Sequence, residues 1–507
     1  MKRILSLLLC ILLLAGCTTD ETPYVPTGDA LSDEGPTTPT AGPTTDQPMS
    51  LAYYPDRSLD PYRCSDYTNR ALFGLLYQSL FAVDRDYQPN PVLCDRYSVS
   101  RDMKTYTFYP AEATFSDGAK LTTADIAASL RHAVSSAYYG GRFGNVDTIT
   151  ATEEAVTVTL KTPYENFPVL LDVPIVKADQ VGTDRPLGTG PYFYETVSQQ
   201  LGLRRRSDWW CVAALPVNAQ RISLVEAESP AQLRDAFEFQ GLSLVCADPG
   251  SERYVDFHSD YELWDCENGI FLYLSCNADS YVLSQGDIRE DLTYAIDRDA
   301  IVSAYYRGFA QSATLPASPA FPHYDDGLAQ QITYDPQRLT DAVSAQYLET
   351  NTVILLVNND DGQRLRAARA IAVSLESCGL SVTVEALATD DYLEALEEGS
   401  FDLHLGQTRL SANMDLSAFF SPDGALNSGG LTDSVTQALC NEALANSGNY
   451  YTLYQTILES GALIPIATRS YAIFTQRGAF TDLDPARDAI FYYDLGRSAA
   501  QALVEDQ

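Results

Sequence analysis

Segments with the spacing of strands and of helices alternate between residues 353 and 405, and this alternation constrains the fold more than any other feature of the chain. In order, they are an apolar strand at 353–357, an amphipathic helix at 363–378, a strand at 380–387, a short acidic helix at 391–398 and a strand at 401–405. Gly379 follows the longer helix, as is typical of a helix C-terminus. Because strands separated by helices form sheets that helices cover, this region predicts an α/β fold.

The same alternation occurs earlier in the chain. Residues 105–108 and 156–160 alternate β-forming side chains in the manner of half-buried strands. Between them, Thr122 with Asp125 supplies a capping box for a predicted amphipathic helix. A second helix is predicted to open at Asp287. Its apolar side comprises Ile288, Leu292, Ala295 and Ile296.

The first residues have the features of a secretory signal. Lys2 and Arg3 precede an apolar run that stops at Cys17, and this run is shorter than the about 20 residues of a membrane-spanning helix. The sequence LAGC at 14–17 is similar to the lipobox of bacterial lipoproteins, in which the Cys thiol is acylated before cleavage. We therefore expect a signal peptide at 1–16 and a lipid on Cys17. An ordinary secreted protein with a chance Cys is the alternative.

A polar linker follows. Residues 17–48 contain, after the lipidated Cys, mainly Thr, Pro, Gly and acidic residues, with few side chains able to form a core. This composition predicts a disordered tether. Such a chain has a root-mean-square reach of roughly 30 Å, so the folded part can stand clear of the membrane.

The charge of the chain limits its partners. Lys and Arg number 33 against 68 Asp and Glu, which gives a net charge of −35 at pH 7. The only local basic cluster is Arg204–Arg206, so no nucleic-acid partner is expected. The same charge opposes attraction to anionic lipid. Contact with a membrane is therefore expected only through the lipid and a protein partner.

Eight cysteines remain once the signal and Cys17 are set aside. Their spacing is irregular and no CxxC occurs, so they do not form the framework of a disulfide-rich protein. Bridges and buried thiols both stay open. The eight are Cys64, Cys94, Cys211, Cys246, Cys266, Cys276, Cys378 and Cys440.

Local motifs of catalytic and metal sites are missing from the sequence. The four His are far apart, which excludes HExxH, and neither GxSxG nor GxxxxGK[ST] occurs. Carboxylates are too abundant for any one pair to indicate a glycosidase. We predict no metal, no cofactor and no enzymatic activity, with a lipid-anchored exported enzyme as the less favoured alternative.

One segment, FSDGAKLTTADI at 115–126, closely resembles the signature of family 5 extracellular solute-binding proteins, which serve ATP-binding-cassette importers of oligopeptides, dipeptides, nickel and related solutes. Other pieces resemble the family in the same order along the chain. They are NPVL at 90–93, YSVSRDMKTYTF at 97–108, LGTGPY at 187–192, DIREDLTYAIDRDAIV at 287–302, YDP at 334–336 and FDL at 401–403.

These motifs have structural roles that can be stated from their chemistry. Asp117-Gly118 suits a tight turn, and Gly188 and Gly190 with a following proline suit a chain reversal near the lobe junction. Asp297-Arg298 is expected to form an ion pair or a helix cap.

The resemblance implies a two-lobed, periplasmic-binding-protein-like type II fold with an extra subdomain on the first lobe. Ligand would be buried between the lobes, and closure would be a hinge motion. The implied first lobe comprises 49–64, 186–269 and 471–507; the extra subdomain spans 65–185, and the second lobe 270–470.

The resemblance also suggests residues that hold the ligand. Peptide-binding members bind the peptide amine with a carboxylate, in a segment that often contains a Trp and an Asp-Pro pair. Here that segment reads GQTRLSANMDLS at 406–417 and lacks both the Trp and the proline. Asp415 is the candidate for the amine, with Asn413 and Arg409 nearby, and Arg409 could bind a peptide carboxylate. Further candidates by position are Tyr53, Tyr77 and Asn277.

The predicted function is that of the substrate-binding lipoprotein of an ABC importer. It would act as a monomer, anchored by lipid on the extracytoplasmic side of a bacterial membrane. There it would capture a short peptide and deliver it to the permease and its ATPase. The same fold could instead bind a metal chelate, a sugar or a signalling peptide.

Overall fold

The computed structural model describes residues 49–251, 254–430, 433–480, 482–487, 489–497 and 500–504. The predicted signal peptide at 1–16, the lipidated Cys17 and the tether up to residue 48 lie outside the described residues and stay predictions.

The described part of the chain contains both strands and helices throughout, as the α/β prediction requires. The strands are β1 (Met49–Tyr53), β2 (Phe81–Val83), β3 (Pro89–Pro91), β4 (Cys94–Ser100), β5 (Thr105–Pro110), β6 (Val146–Ala151), β7 (Val156–Leu160), β8 (Tyr192–Val197), β9 (Gln200–Arg205), β10 (Arg221–Glu226), β11 (Leu244–Ala247), β12 (Tyr261–Cys276), β13 (Ala310–Ser312), β14 (Thr352–Asn358), β15 (Ser381–Leu387), β16 (Leu403–Arg409), β17 (Leu463–Gln476) and β18 (Ala500–Val504). The helices are α1 (Tyr67–Arg70), α2 (Phe73–Leu76), α3 (Thr123–Val134), α4 (Pro230–Glu238), α5 (Ile288–Asp291), α6 (Arg298–Tyr305), α7 (Asp326–Ala329), α8 (Pro336–Ala345), α9 (Gly362–Ser377), α10 (Thr389–Glu398), α11 (Ser417–Phe420), α12 (Ser434–Ala445) and α13 (Tyr450–Ser460).

A seven-stranded mixed sheet links the two lobes. Its strand order is β11-β17-β12-β16-β14-β15, and β13 pairs with β17. The two longest strands, β12 and β17, are antiparallel neighbours. Their first-lobe ends adjoin β11, while their other ends reach the second-lobe strands β16 and β13.

A bulge interrupts the β12–β17 pair. Glu267 pairs with Ser470 and Phe271 with Thr468, so residues 268–270 lie opposite Arg469 alone. Gly269, within the bulge, has a φ of +71°, a conformation that favours glycine. The domain boundaries expected from the sequence, at 269/270 and 470/471, fall at this bulge, and the division into domains stays a prediction.

Two larger sheets and the two-stranded pair of β2 and β3 complete the sheets of the described residues. The first has the order β1-β10-β9-β8 and belongs to the first-lobe segments. The second has the order β18-β4-β5-β7-β6 and lies in the segment expected to form the extra subdomain. Its edge strand β18 comes from residues 500–504, which pair in parallel with Arg96–Ser100 of β4. Residues near the C-terminus thus join the extra subdomain's sheet, although the sequence suggested the first lobe for 471–507.

Several local predictions are confirmed. The capping box at Thr122 and Asp125 is formed in both directions at the start of α3. Between residues 352 and 398 the structure has β14, α9, β15 and α10 in the expected order, within two residues of the expected ends. Asp117-Gly118 forms a tight turn in which the Gly118 amide donates to Phe115 O at 2.9 Å.

The prediction of one continuous helix that begins at Asp287 is wrong. The segment breaks into α5, a 3-10 turn at Leu292–Ala295, and α6. Asp297 caps α6 by accepting from the Ala300 amide at 2.9 Å, as one of the two expected roles. Arg298 is buried and donates to backbone carbonyls, including Ala313 O and Pro465 O. These hydrogen bonds fix the chain at Arg298 in a position that a continuous helix would not reach.

The last strand of the same region also departs from the prediction. Residues 401–405 were expected to form it, but β16 begins at Leu403 and extends to Arg409. Asp402 instead accepts from Ser280 Oγ at 2.5 Å and from the Ile354 amide at 2.8 Å. These bonds fix the chain immediately before β16.

The glycines of LGTGPY serve a close approach between backbones. A Cβ on Gly188 would lie 2.1 Å from Leu76 O, and one on Gly190 would lie 2.5 Å from the carbonyl carbon of Leu76. The Gly190 amide donates to Leu76 O at 3.0 Å. The sequence pattern suggested a chain reversal, whereas the structure shows that the glycines are needed because α2 packs directly on this segment.

Two further observations concern the described residues as a set. The thiols of seven cysteines are free, and all of these except Cys211 are buried; the seven are Cys64, Cys94, Cys211, Cys246, Cys276, Cys378 and Cys440. None of the described helices combines the length and apolar character that crossing a bilayer would need.

Substitution of Gly188 by Ala is expected to lower the free energy of unfolding by about 2–3 kcal/mol, because the new methyl group overlaps the Leu76 carbonyl. Gly141→Ala is the matched control, since a Cβ there has no atom within 4 Å. Denaturant unfolding of both variants measures the difference. Equal stability of the two variants would contradict the close approach.

Candidate functional site

The largest cavity that includes predicted site residues lies between segments expected to form the extra subdomain and the second lobe. It has a volume of about 640 Å³. One wall comes from residues 137–162, and the other from residues 408–444. We call this cavity the cleft. Its polar and charged lining includes Tyr138, Tyr139, Arg142, Asn145, Lys161, Arg409, Ser411, Asp415, Gln437, Asn441 and Arg487.

The bulge in β12 positions Arg409, the last residue of β16. The Arg409 Nε donates to Asn268 O at 2.8 Å, and the amide of Leu410 donates to Gly269 O at 2.9 Å. Across the cleft, Arg409 Nη1 donates to the hydroxyl of Tyr138. Arg409 therefore joins the lobe junction to the opposite wall of the cleft.

Asp415 lies in the turn that follows β16. Met414, with a φ of +50°, closes the turn through its amide, which donates to Ser411 O at 3.0 Å. The Asp415 Oδ1 accepts from the Ser417 amide at 2.9 Å. Its Oδ2 receives no hydrogen bond from the described residues, and the side chain is half-buried at the cleft. This carboxylate can accept a further donor.

The opposite wall is built by the chain after α3. The ring of Tyr138 has the guanidinium of Arg70 3.5 Å from its centre and that of Arg409 5.4 Å away. Arg142 forms an ion pair with Asp172, and both side chains are at most 12% exposed. Lys161, at the rim, donates to Gly144 O at 2.8 Å.

The charge of the cleft differs in sign from that of the chain. Four lining residues are Lys or Arg, namely Arg142, Lys161, Arg409 and Arg487, and Asp415 is the one acidic lining residue among those described. The whole chain carries a net charge of −35. A cleft with several cations and one carboxylate suits a ligand that carries both acidic groups and an amine.

A smaller cavity of about 160 Å³ adjoins the cleft and shares Leu444 with it. We call it the aromatic side cavity. Its lining includes the rings of Tyr87, Tyr164, Phe321, His323 and Tyr450, together with Glu165 and Asn413. Within the described residues, no group of three or more His, Cys, Asp and Glu side chains has an arrangement suited to a metal ion, here or elsewhere.

Four of the six predicted site residues line three different cavities. Arg409 and Asp415 line the cleft, and Asn413 lines the aromatic side cavity. Tyr77 lines a third cavity of about 90 Å³, which shares Tyr139 and Arg487 with the cleft. Burial raises the pKa of Tyr77 well above its usual value.

Tyr53 and Asn277 lie away from these three cavities. The Tyr53 hydroxyl donates to Glu226 Oε1 at 2.7 Å, and burial together with Glu226 raises its pKa to about 12. Asn277 donates to Gly399 O and Phe401 O at 2.9 and 2.8 Å, and its Oδ1 accepts from the Asp279 amide. Both side chains are therefore held by partners within the protein.

Sequence reasoning missed most of the wall opposite Asp415. Tyr138, Arg142 and Lys161 come from the segment expected to form the extra subdomain and have no motif spacing in common. The YYGGRF run at 138–143, with two tyrosines and an Arg around glycines, is the one local signal that could have indicated this wall.

Comparison with known proteins agrees with this architecture. The family model of bacterial extracellular solute-binding proteins, family 5, matches residues 88–428. The glutathione-binding protein GsiB of Salmonella paratyphi A is 27% identical over 307 residues, which is 55% of this chain and 57% of that protein. The match thus spans a little over half the length of this curated relative.

Solved structures show the same fold. The ABC transporter substrate-binding protein CtaP of Listeria monocytogenes superposes with a TM-score of 0.73 at 17% identity, covering 88% of this chain and 97% of that one. The oligopeptide-binding protein AppA of Bacillus subtilis, in complex with a nonapeptide, gives a TM-score of 0.63 at 17% identity, covering 90% and 100%. The expected two-lobed type II binding-protein fold is confirmed. With the family model matching about two thirds of its length, the chain belongs to the bacterial extracellular solute-binding proteins of family 5.

Proposed function

We propose that the chain is the substrate-binding protein of an ABC importer and that it captures a short peptide in the cleft. The observation that carries this proposal is the pairing of Asp415 on one side of the cleft with several cationic side chains around it. A peptide with free ends carries an ammonium at one end and a carboxylate at the other, so this arrangement is complementary to it.

The size of the cleft also fits. A volume of about 640 Å³ lies within the roughly 300–1,000 Å³ that is usual for small-molecule sites. This space suits a peptide of a few residues. GsiB is named for binding glutathione, and AppA was solved with a nonapeptide; both names are consistent with a peptide ligand for this chain.

Each end of the peptide has a proposed partner. Asp415 would accept hydrogen bonds from the peptide amine through its Oδ2, because a buried ammonium requires a charged partner. Arg409 would donate to a carboxylate, for which its planar guanidinium is well suited. Tyr77 and Asn413, in the adjoining cavities, would contact side chains of the ligand.

Other ligands remain as alternatives within the same fold. A metal chelate, a sugar or a signalling peptide would also occupy a cleft between lobes. Against direct metal ligation stands the lack of a suitable ligand cluster among the described residues. The family is one of binding proteins, so the chain is a binding protein rather than an enzyme.

The place of action follows from the same proposal. Members of the family are extracellular solute-binding proteins. With a signal at 1–16 and a lipid on Cys17, the protein would be held as a monomer at the outer face of the cell membrane or in the periplasm. It would then pass its ligand to a permease and its ATPase.

Asp415→Asn is expected to weaken the binding of short peptides with a free amine about tenfold or more, because the amide removes the charged partner of the ammonium. Isothermal titration with a tripeptide and with its N-acetylated form measures the effect. Asp391→Asn, an exposed change on α10, is the matched control. The assignment fails if Asp415→Asn weakens both peptides equally.

A peptide with a free carboxylate is expected to bind about tenfold more tightly than its C-terminal amide, and Arg409→Gln is expected to reduce this ratio towards one. Arg366→Gln, an exposed change on α9, serves as the control and should leave the ratio unchanged. Titration of the acid and amide forms provides the ratio for each variant. An unchanged ratio in Arg409→Gln would show that another residue binds the peptide carboxylate.

A further inference from the structure

The aromatic side cavity is enclosed by rings on several sides. His323 stacks parallel to Tyr450 with ring centres 5.4 Å apart, and Phe321 meets both rings edge-on at 5.3 and 5.1 Å. Tyr87 approaches Phe321 edge-on at 6.0 Å. The faces of aromatic rings are negatively polarised and attract cations, whereas their edges are positively polarised, so a cation in this small space would bind against the ring faces.

Hydrogen bonds hold these rings in place. The Tyr450 hydroxyl donates to Asn413 O at 2.7 Å, and the Tyr87 hydroxyl donates to Glu267 Oε1 at 2.6 Å. Tyr87 also has a φ of +58°, which is uncommon for a residue other than glycine. A backbone conformation of this kind persists only where the surrounding structure fixes it, so contacts with neighbouring residues hold Tyr87 in place.

The charges around the side cavity are mainly negative. Glu165 lines it, and its Oε2 accepts from the Ser447 amide at 2.9 Å. Burial raises the pKa of Tyr450 and of Tyr164 above the usual value; the negative charges of Asp415 and Glu165 raise that of Tyr450 further, and the charge of Asp415 raises that of Tyr164 further. Burial lowers the pKa of His323, which therefore stays neutral at pH 7 and does not oppose a cation.

One cation lies near these rings. The guanidinium carbon of Arg487 is 5.1 Å from the centre of the Tyr87 ring. Three carboxylates also lie near these rings, namely those of Glu165, Asp415 and Glu267. Their negative charges outnumber the single positive charge of Arg487, so the surroundings favour a positive charge within the cavity. The volume of about 160 Å³ is enough for one small head group.

We propose that the aromatic side cavity is a subsite for a cationic group of the ligand, either an alkylammonium or a guanidinium. An aromatic enclosure with a carboxylate at its edge is the chemistry that recognises such groups. The subsite rests on the proposed binding role of the cleft and adds to it. The ligand would be a peptide with a basic side chain, whose cation enters the side cavity while its backbone lies in the cleft.

The test uses the full chain and two matched sets of probes. Tetramethylammonium and its neutral isostere tert-butanol are compared by saturation-transfer NMR. Tripeptides with Lys at each position in turn are then compared by titration with the same tripeptides carrying norleucine at that position. The expected results are a signal for tetramethylammonium but not for tert-butanol, and about fivefold or tighter binding of the Lys peptide at one position.

Glu165→Gln isolates the charge, because the amide oxygen can still accept from the Ser447 amide. This variant is expected to remove most of the preference for Lys over norleucine, while Glu442→Gln, an exposed change on α12, leaves the preference unchanged. Equal binding of Lys and norleucine peptides by the wild type would overturn the subsite and leave peptide capture intact. A tetramethylammonium signal sensitive to Glu165→Gln, without binding of any peptide, would support the subsite and count against peptide capture.

Discussion

A pair of long antiparallel strands, β12 and β17, runs from the predicted first lobe into the predicted second lobe, and the bulge at Asn268–Ile270 interrupts the pair at this boundary. Opposite the bulge, the buried Arg469 of β17 donates to Asp248 Oδ1 at 2.6 Å and to Gln407 Oε1 at 3.1 Å, and so connects β17 with β16 and with the residue that follows β11. Breaking a buried pair of this kind costs several kcal/mol, typically about 3–5. The junction is therefore held firmly while the bulge allows the strands to change direction.

The cleft depends directly on this junction. The carbonyls of Asn268 and Gly269 hold Arg409 and Leu410, and the turn that carries Asp415 begins immediately afterwards. Next to the bulge, Glu267 accepts from Tyr87 of the extra subdomain and from Ser318 of the second lobe, at 2.6 and 2.7 Å. A change in the angle between the predicted lobes would thus move the groups proposed to bind the ligand, and the expected hinge closure would in this way be coupled to binding.

Much of the fold was predictable because it depends on local patterns. The capping box at Thr122, the order of elements from 352 to 398 and the turn at Asp117-Gly118 each follow from neighbouring residues. The break before Arg298 and the need for Gly188 were not predictable, because each depends on a carbonyl from a distant segment. The sequence indicated only part of the lining of the candidate site, whose role in binding stays a proposal. Arg409 and Asp415 come from one segment with a family pattern, whereas Tyr138, Arg142 and the rings of the side cavity are brought together only by folding.

Native mass spectrometry of the protein purified under mild conditions would show directly whether the cleft captures a short peptide. A binding protein whose lobes close around its ligand releases that ligand slowly, so a bound species is expected to survive purification. The expected result is a monomer carrying one additional mass, which fragments on release as a peptide of a few residues. Release of a metal chelate or a sugar from the same monomer would contradict it.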